Sequence, residues 1–235
     1  PVYFLSFLPK KGKKIAYAAS FGGASVEEKN KTRIKSWLKE YNKITIRENS
    51  GIKIASELGI HAEQVLDPTF LLDKNEWEKL IPNRKCDEKY VLVYQLHPNK
   101  QFDAYAKEFA KRKGLKLYRV SHCFHHIVRS GKFICCPPVG EFLWYIKNAE
   151  YFLTDSFHGT AFSIGLNTQF ADVLPKSYSE RISSILELIG YENRILKSYD
   201  DFKIAEEKID FNRVNEIIST ERKKSFDILK DMIGD

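Results

Sequence analysis

No apolar run in this chain approaches the roughly 20 residues that a membrane-spanning helix needs, so no segment reads as integral to a membrane. The opening PVYFLSFLPKKGKK has an apolar stretch too short for a secretory signal, and no small-residue cleavage site follows it. Methionine occurs once and cysteine four times, at Cys86, Cys123, Cys135 and Cys136. Adjacent Cys135 and Cys136 do not pair readily with each other, and the overall spacing is not that of a disulfide framework. The expectation is a reducing compartment and buried thiols. There are no internal repeats and no low-complexity tracts. The Gly22-Gly23 pair lacks the GxGxxG layout, so a dinucleotide site is not supported.

What is present is a globular composition. Hydrophobic residues are 43% of the 235 and charged residues 29%, enough to bury a core and too apolar for disorder. The length fits one large domain or two small ones. Lys and Arg number 38 against 31 Asp and Glu, a net charge of +7. That balance suits phosphorylated metabolites, acidic lipid surfaces or nucleic acid, and equally a solvated lysine-rich surface. The densest basic groups, residues 10–14 and 29–35, lack the interleaved aromatics of a single-strand binder, so no nucleic-acid partner is expected.

Strand and helix patterns alternate along the chain. Residues 13–21 read as a strand running into Gly22, and Ile34, Trp37 and Leu38 share one helical face. Residues 43–47 alternate as a short strand, Ser50 is placed to cap a helix over 51–58, and 64–66 is a brief strand ending at Asp67-Pro68. A short helix over 75–80 precedes the polar stretch 81–88, the expected linker. The nearly continuous apolar run 90–96 then reads as a strand covered on both faces. Helices are expected over 102–113, 141–148, 158–165, 179–189 and 212–232, and strands over 115–120, 151–153 and 170–173. The pattern predicts doubly wound α/β layers, two of them, joined near residue 85.

The strongest local signal is YFLTDSFHGT, residues 151–160. A buried strand runs through Thr154 into Asp155 and Ser156, and a small-residue helix begins at once. Ligands bind at the carboxyl edge of open α/β sheets, and the first turn of a helix favours a phosphate or carboxylate. Gly159 would let such an anion approach the backbone. His158 could donate to it or move a proton near neutral pH. The same pattern also fits Ser156 or Asp155 as a helix cap and His158 as a packed imidazole. Arg47-Glu48 reads either as a surface ion pair or as part of a site, and Asp67-Pro68 as a turn device more readily than as a catalytic acid. Glu141 opens a helix, where it favours the dipole, and could also hold a sugar hydroxyl. His122, Cys123 and His126 lie in the run HCFHH with i, i+4 spacing. No carboxylate is adjacent and no second ligand pair stands at a finger-like distance, so no metal is expected.

TDSFHGTAFSI (154–164) resembles the signature of the polysaccharide pyruvyl transferase family, an aspartate followed after two residues by a His-Gly pair. The resemblance extends through KIAYAASFG (14–22), TIRENSG (45–51), VLDPTFLL (65–72), PPVGEFLWYIKNAEYFLTDSFHG (137–159), ERISSILELIGYENRIL (180–196) and IDFNRVNEIISTERKKSFDIL (209–229). It covers nearly the whole chain in the family's order. What it implies is two Rossmann-like halves of glycosyltransferase-B type facing a cleft. The implied enzyme moves a pyruvyl group from phosphoenolpyruvate onto a sugar of a surface or capsular polysaccharide precursor, as a ketal, with phosphate leaving. No cofactor beyond that donor is implied. The implied setting is cytoplasmic, with possible peripheral contact at the inner membrane face for a lipid-linked acceptor.

Under this resemblance His158 is the proton donor or phosphate partner, and Arg47 a bidentate anion clamp. Asp155, Ser156, Gly159, Thr160, Glu48, Glu141 and Gly22 are the expected substrate contacts. Many members carry Arg-Leu-His where this chain has Ser156, Phe157 and His158. Serine offers one weaker hydrogen bond, and Arg119 or Lys176 are the cations that could replace the missing guanidinium. The alternatives are a sugar transferase using a nucleotide sugar at the same helix end, and an inactive binding module. The expected division is 1–84, 85–210 and a C-terminal helix over 211–235. Two such halves need roughly 300 residues or more. With Pro rather than Met at the start, the expectation is an incomplete N-terminal half.

Overall fold

The structure is a computed structural model that describes residues 2–8 and 12–234. Pro1, Lys10 and Lys11 lie outside the described residues, as does the side chain of His125. The chain forms two compact units. The first comprises Pro1–Leu71, Ser177–Ile185 and Ile217–Asp235, the second Leu72–Lys176 and Leu186–Glu216. The division therefore falls at 71/72 rather than at 84/85, and two later segments return to the first unit. The stretch 81–88 belongs inside the second.

In the first unit the strands are β1 (Ile15–Ala19), β2 (Lys43–Ile46) and β3 (Glu63–Gln64), with helices α1 (Glu28–Leu38) and α2 (Asn49–Glu57) between them. They form a parallel sheet in the order β1-β2-β3. Leu38, Ile44, Ile46, Ile54, Ala55 and Leu58 make its core. Each fully buried Leu or Ile side chain contributes roughly 1.5–3 kcal/mol. Helix α2 starts two residues earlier than expected, so Ser50 lies inside its first turn. The cap position is Glu48, whose carboxylate is turned away to the amide of Phe21 (2.8 Å). Gly51 is needed for this turn, because a Cβ there would sit 2.5 Å from Ile46 Cγ2 and 2.9 Å from Glu48 Oε1.

The second unit opens with α3 (Lys74–Glu78), held by a capping box between Asp73 and Glu76. It continues through β4 (Tyr90–Tyr94), α4 (Lys100–Lys113), β5 (Lys116–Ser121), β6 (Lys132–Cys135), α5 (Val139–Lys147), β7 (Tyr151–Thr154), α6 (Phe157–Leu166) and β8 (Phe170–Asp172). Beyond these come α7 (Glu180–Ile189), a single turn α8 (Lys203–Glu206) and α9 (Phe211–Ile233). Helices α7 and α9 each contribute residues to both units. The five strands are parallel in the order β6-β5-β4-β7-β8. Central β4 is buried on both faces, which its uninterrupted apolar sequence demands. Asn99 caps α4 through the amides of Gln101 and Phe102 (both 3.1 Å), and Gly114 ends it at φ +65°. Phe102, Tyr105 and Phe109 of α4 pack with Val91, Val93 and Leu153 of the sheet.

Strand β6 and helix α8 carry no alternation that the sequence pattern could reveal. The thiols depart from expectation too. Cys86, Cys123 and Cys135 are only partly buried and Cys136 is exposed, because the vicinal pair falls where edge strand β6 ends. All four are free. Among the described residues no helix is long and apolar enough to cross a membrane.

Candidate functional site

The order of the five-stranded sheet reverses between β4 and β7. One path of the chain runs outward from β4 through β5 to β6, the other from β7 to β8. At such a reversal the loops after the two central strands diverge, leaving a crevice at the carboxyl edge. Here those loops carry Leu96 and His97 after β4, and Asp155 and Ser156 after β7.

Asp155 joins the two loops. Its buried carboxylate accepts the amides of Leu96 (2.6 Å) and His97 (2.9 Å), and lies 3.0 Å from His97 Nδ1. A carboxylate that accepts two backbone N–H groups favours the tautomer with hydrogen on Nδ1, which leaves Nε2 as the acceptor. The His97 side chain is 52% exposed. Asp155, expected as a substrate contact, holds His97 in place, a residue the sequence did not single out because its partner lies 58 residues away.

Ser156 is the cap of α6, its Oγ accepting from Gly159 N (3.3 Å), and it is buried. Thr160 is fully buried and donates to Asp172 Oδ1 (2.8 Å) as well as to the Ser156 carbonyl (3.1 Å). Gly159 is also buried, and its lack of a side chain serves packing: a Cβ would sit 2.6 Å from Thr154 Oγ1 and 3.2 Å from Phe152 Cε1. The side chains of Ser156 and Thr160, expected as ligand contacts, make internal hydrogen bonds, and Gly159 packs against β7. Gly159→Ala is expected to cost about 1–3 kcal/mol in urea unfolding through overpacking, and an unchanged midpoint would contradict that reading. His158 differs from all its neighbours. From Tyr151 through Leu166 it alone is exposed, in the first turn of α6.

A cavity of about 210 Å³ at the carboxyl ends of β4, β5 and β6 is lined by Tyr94, Ser121, His122, Cys136 and Phe142. Burial, and then the charge of Asp155, raise the Tyr94 phenol above its ordinary value. Arg119 does not supply the missing guanidinium. It is buried and committed to Asp103 (2.9 Å) and the Ser130 carbonyl (2.7 Å). Lys176 is exposed beyond β8. His126 is buried with Nδ1 2.7 Å from Ser121 Oγ. Among the described residues no group of three or more His, Cys, Asp and Glu side chains is arranged to hold a metal.

The first unit has its own carboxyl edge. Arg47, after β2, pairs with buried Asp67 (2.5 Å), whose other oxygen accepts from Thr69 N (3.0 Å) and Thr69 Oγ1 (2.9 Å). Arg47 is therefore no open anion clamp, and its carboxylate partner is Asp67 rather than Glu48. Asp67 is the turn device the Asp-Pro pair suggests. Glu48 is fully buried against Phe21 N. Gly22, at φ +75°, is approached by the Tyr178 ring, since a Cβ there would lie 2.8 Å from Tyr178 Cδ1. Arg181 on α7 feels the charges of Arg47, Glu48 and Asp67, and burial followed by Arg47 lowers its pKa. Glu141 lies elsewhere, half-exposed on α5 and 3.6 Å from Arg84.

The family model for polysaccharide pyruvyl transferase matches residues 1–175. The chain belongs to the polysaccharide pyruvyl transferase family. The matched region contains Arg47, Glu48, Asp67 and the whole β7–α6 turn of this pyruvyl transferase family member, while Tyr178 and Arg181 lie beyond it. No curated relative matches. Among solved structures, the wall teichoic acid polymerase TagF, soaked with CDPG, aligns at 12% identity and a TM-score of 0.42, over 88% of this chain and 60% of that one. The chain thus spans less than two thirds of that protein's length.

Proposed function

We propose that the chain transfers the pyruvyl group of phosphoenolpyruvate to a sugar of a surface or capsular polysaccharide precursor, with the donor on the β7–α6 turn. The observation that carries this is that His158 is the one exposed residue from Tyr151 through Leu166, on the edge that also presents His97 with Asp155 behind it. A helix N-terminus with an imidazole in its first turn suits the donor's phosphate or carboxylate. His97, with Nε2 as acceptor, suits the acceptor hydroxyl.

The chemistry balances as follows. The enol methylene gains a proton and C2 becomes electrophilic. One sugar oxygen bonds to C2, the C2–O bond to phosphate breaks, and a second sugar oxygen closes the ketal. Of the two hydroxyl protons one is conserved on the new methyl group and the other on phosphate. His97 takes a hydroxyl proton and His158 holds the phosphate that leaves. The net charge of +7 suits such anions and underlies the proposal of a cytoplasmic enzyme touching an anionic leaflet.

Thermal unfolding with phosphoenolpyruvate tests the donor. Saturating ligand at about 100 times Kd stabilises by roughly 2.7 kcal/mol, so a clear rise in Tm is expected for the wild type and none for His158→Ala. Stabilisation by a nucleotide sugar without any by phosphoenolpyruvate would transfer the site to the other donor class.

A further inference from the structure

The stretch 81–88 and the aromatic residues beside it have no part in the donor chemistry. Tyr90 begins β4 and Lys132 begins β6, so both stand at the amino edge of a parallel sheet, opposite the edge that carries Asp155 and His158. Helix α4 covers the sheet face that bears Val91 and Val93. Tyr90 lies on the other face, stacked on Tyr118 with ring centroids 4.4 Å apart. There α5 brings Trp144 and Tyr145 to the pair, with the Tyr145 ring 6.4 Å from Tyr90 and 6.3 Å from Tyr118. The β5–β6 connection carries a 3-10 turn over Phe124–Val128 in place of an α-helix. A cavity of about 300 Å³ is left between these four rings, Lys132 and residues 84–88.

The rim of this cavity is ordered and charged. Trp144 Nε1 donates to the Arg84 carbonyl (3.2 Å), which fixes the chain there. The Arg84 guanidinium lies 4.3 Å from the Trp144 ring centroid and 5.9 Å from that of Tyr145. Lys132 Nζ lies 4.7 Å over the Tyr118 ring and 3.5 Å from its hydroxyl. Aromatic faces thus hold both cations in place without neutralising them. Arg84 stands 3.6 Å from half-exposed Glu141, beyond hydrogen-bond reach, and among the described residues Lys85 has no partner. Glu88 is taken by Lys116. With Arg84 set against Glu141 and Lys116 against Glu88, Lys85 and Lys132 face Asp87 alone, an excess of one positive charge. A single carboxylate balances that excess, and a guanidinium fork takes a carboxylate in two parallel hydrogen bonds. The cavity is much larger than a carboxylate. Its walls mix aromatic carbon with phenol and peptide groups, which suits a ring that carries both C–H faces and hydroxyls.

We propose that this cavity binds a carboxylated sugar, with the carboxylate on Arg84 and Lys132 and the sugar ring beside Tyr118 and Tyr145. Two sources present that chemistry: a uronic acid of a polysaccharide, and a pyruvate ketal, which places a carboxylate on a sugar. Only the second source rests on the transfer proposed above.

Saturation-transfer NMR on the full chain, with no phosphoenolpyruvate present, tests the site with methyl glucuronide, a methyl galactoside bearing a pyruvate ketal, and neutral methyl glucoside. At least one acidic glycoside should receive saturation and bind roughly tenfold or more tightly than the neutral one. Arg84→Ala and Lys132→Ala should each weaken that binding by roughly the same factor, while His158→Ala leaves it unchanged. Both cations are exposed, so their truncation leaves the core intact. Should Arg84→Ala nonetheless lower Tm, the Lys132 pair decides, Lys132→Ala losing binding and Lys132→Arg retaining it. Binding of neither acid, equal binding of acidic and neutral glycosides, or wild-type binding by Lys132→Ala overturns the site. Binding of the glucuronide alone assigns it to a uronic acid, and binding of the ketal alone to the transfer product. A failed donor assignment, read separately from Tm with phosphoenolpyruvate, leaves a glucuronide result standing.

Discussion

On the proposed reading, His97→Ala is expected to lower kcat by roughly 10²–10⁴-fold, the span by which a positioned general acid or base accelerates a step, and to leave the KM for phosphoenolpyruvate nearly unchanged. His158→Ala does the opposite in emphasis, raising KM for the donor while also lowering kcat. The split follows from placement. His97 is aimed by Asp155 through Nδ1 at 3.0 Å, so in the proposed reaction its contribution is a proton transfer made in the transition state. His158 stands in the first turn of α6, where a donor anion would be held in both ground and transition states. Asp155→Asn separates positioning from chemistry. It keeps the size of the side chain but offers one acceptor oxygen in place of two, so His97 is held less firmly and kcat should fall while donor KM holds. Phosphate release measured with a sugar acceptor gives all three results. A His97→Ala enzyme with wild-type kcat would remove His97 from the reaction and return the proton to His158.

The parts of this arrangement that are local in sequence are the parts the sequence discloses. The run 90–94 has no charged or amide residue because β4 is covered on both faces, and the β7–α6 turn announces itself by passing from an apolar strand to a capping serine and then to small residues. His97 is silent in the sequence because nothing near it is unusual, and its meaning comes from Asp155 on another strand. Arg47 likewise acquires its partner only when β2 and β3 are placed side by side, which brings Asp67 to it. The residues 177–185 and 217–235 belong to the first unit through pairings such as Asn49 with Ser184 and Leu66 with Ser225, the latter separated by 159 residues. A linker read from proline and polarity cannot register contacts of that kind. The internal hydrogen bonds at Ser156 and Thr160 and the packing at Gly159 were not legible for a related reason. A turn that must cap a helix and seat it on a strand uses its polar atoms inward, and only His158 is left facing out.

Asp172 should make the protein less stable as the pH rises from about 4 to about 8, and Asp172→Asn should abolish that part of the slope. Asp172 ends β8 and is fully buried. Burial is the largest influence on its carboxyl and pushes it up to about 8, opposed by the hydrogen bond from Thr160 and the charge of Arg194 and reinforced by Asp155. Arg194 does not neutralise it outright, because the guanidinium is spent on the carbonyls of Phe170 (2.8 Å from Nε), Ile204 and Glu207 (2.8 Å from Nη1). Only Oδ1 is engaged, by Thr160, and Oδ2 accepts nothing. A folded pKa above the unfolded one means that the native state holds the proton more tightly. The contribution is therefore complete below the unfolded value near 4 and is lost as pH climbs to the folded value near 8. The slope is about 1.4 kcal/mol per pH unit for one group at most, less wherever the site relaxes or admits water. Asparagine keeps the acceptor for Thr160 and cannot ionise. Urea unfolding of both proteins from pH 4 to pH 8 should show the variant gaining steadily on the wild type, with the two closest at the acid end. Parallel curves across that range would mean that Asp172 is ionised in the folded protein, held so by Arg194 despite its burial.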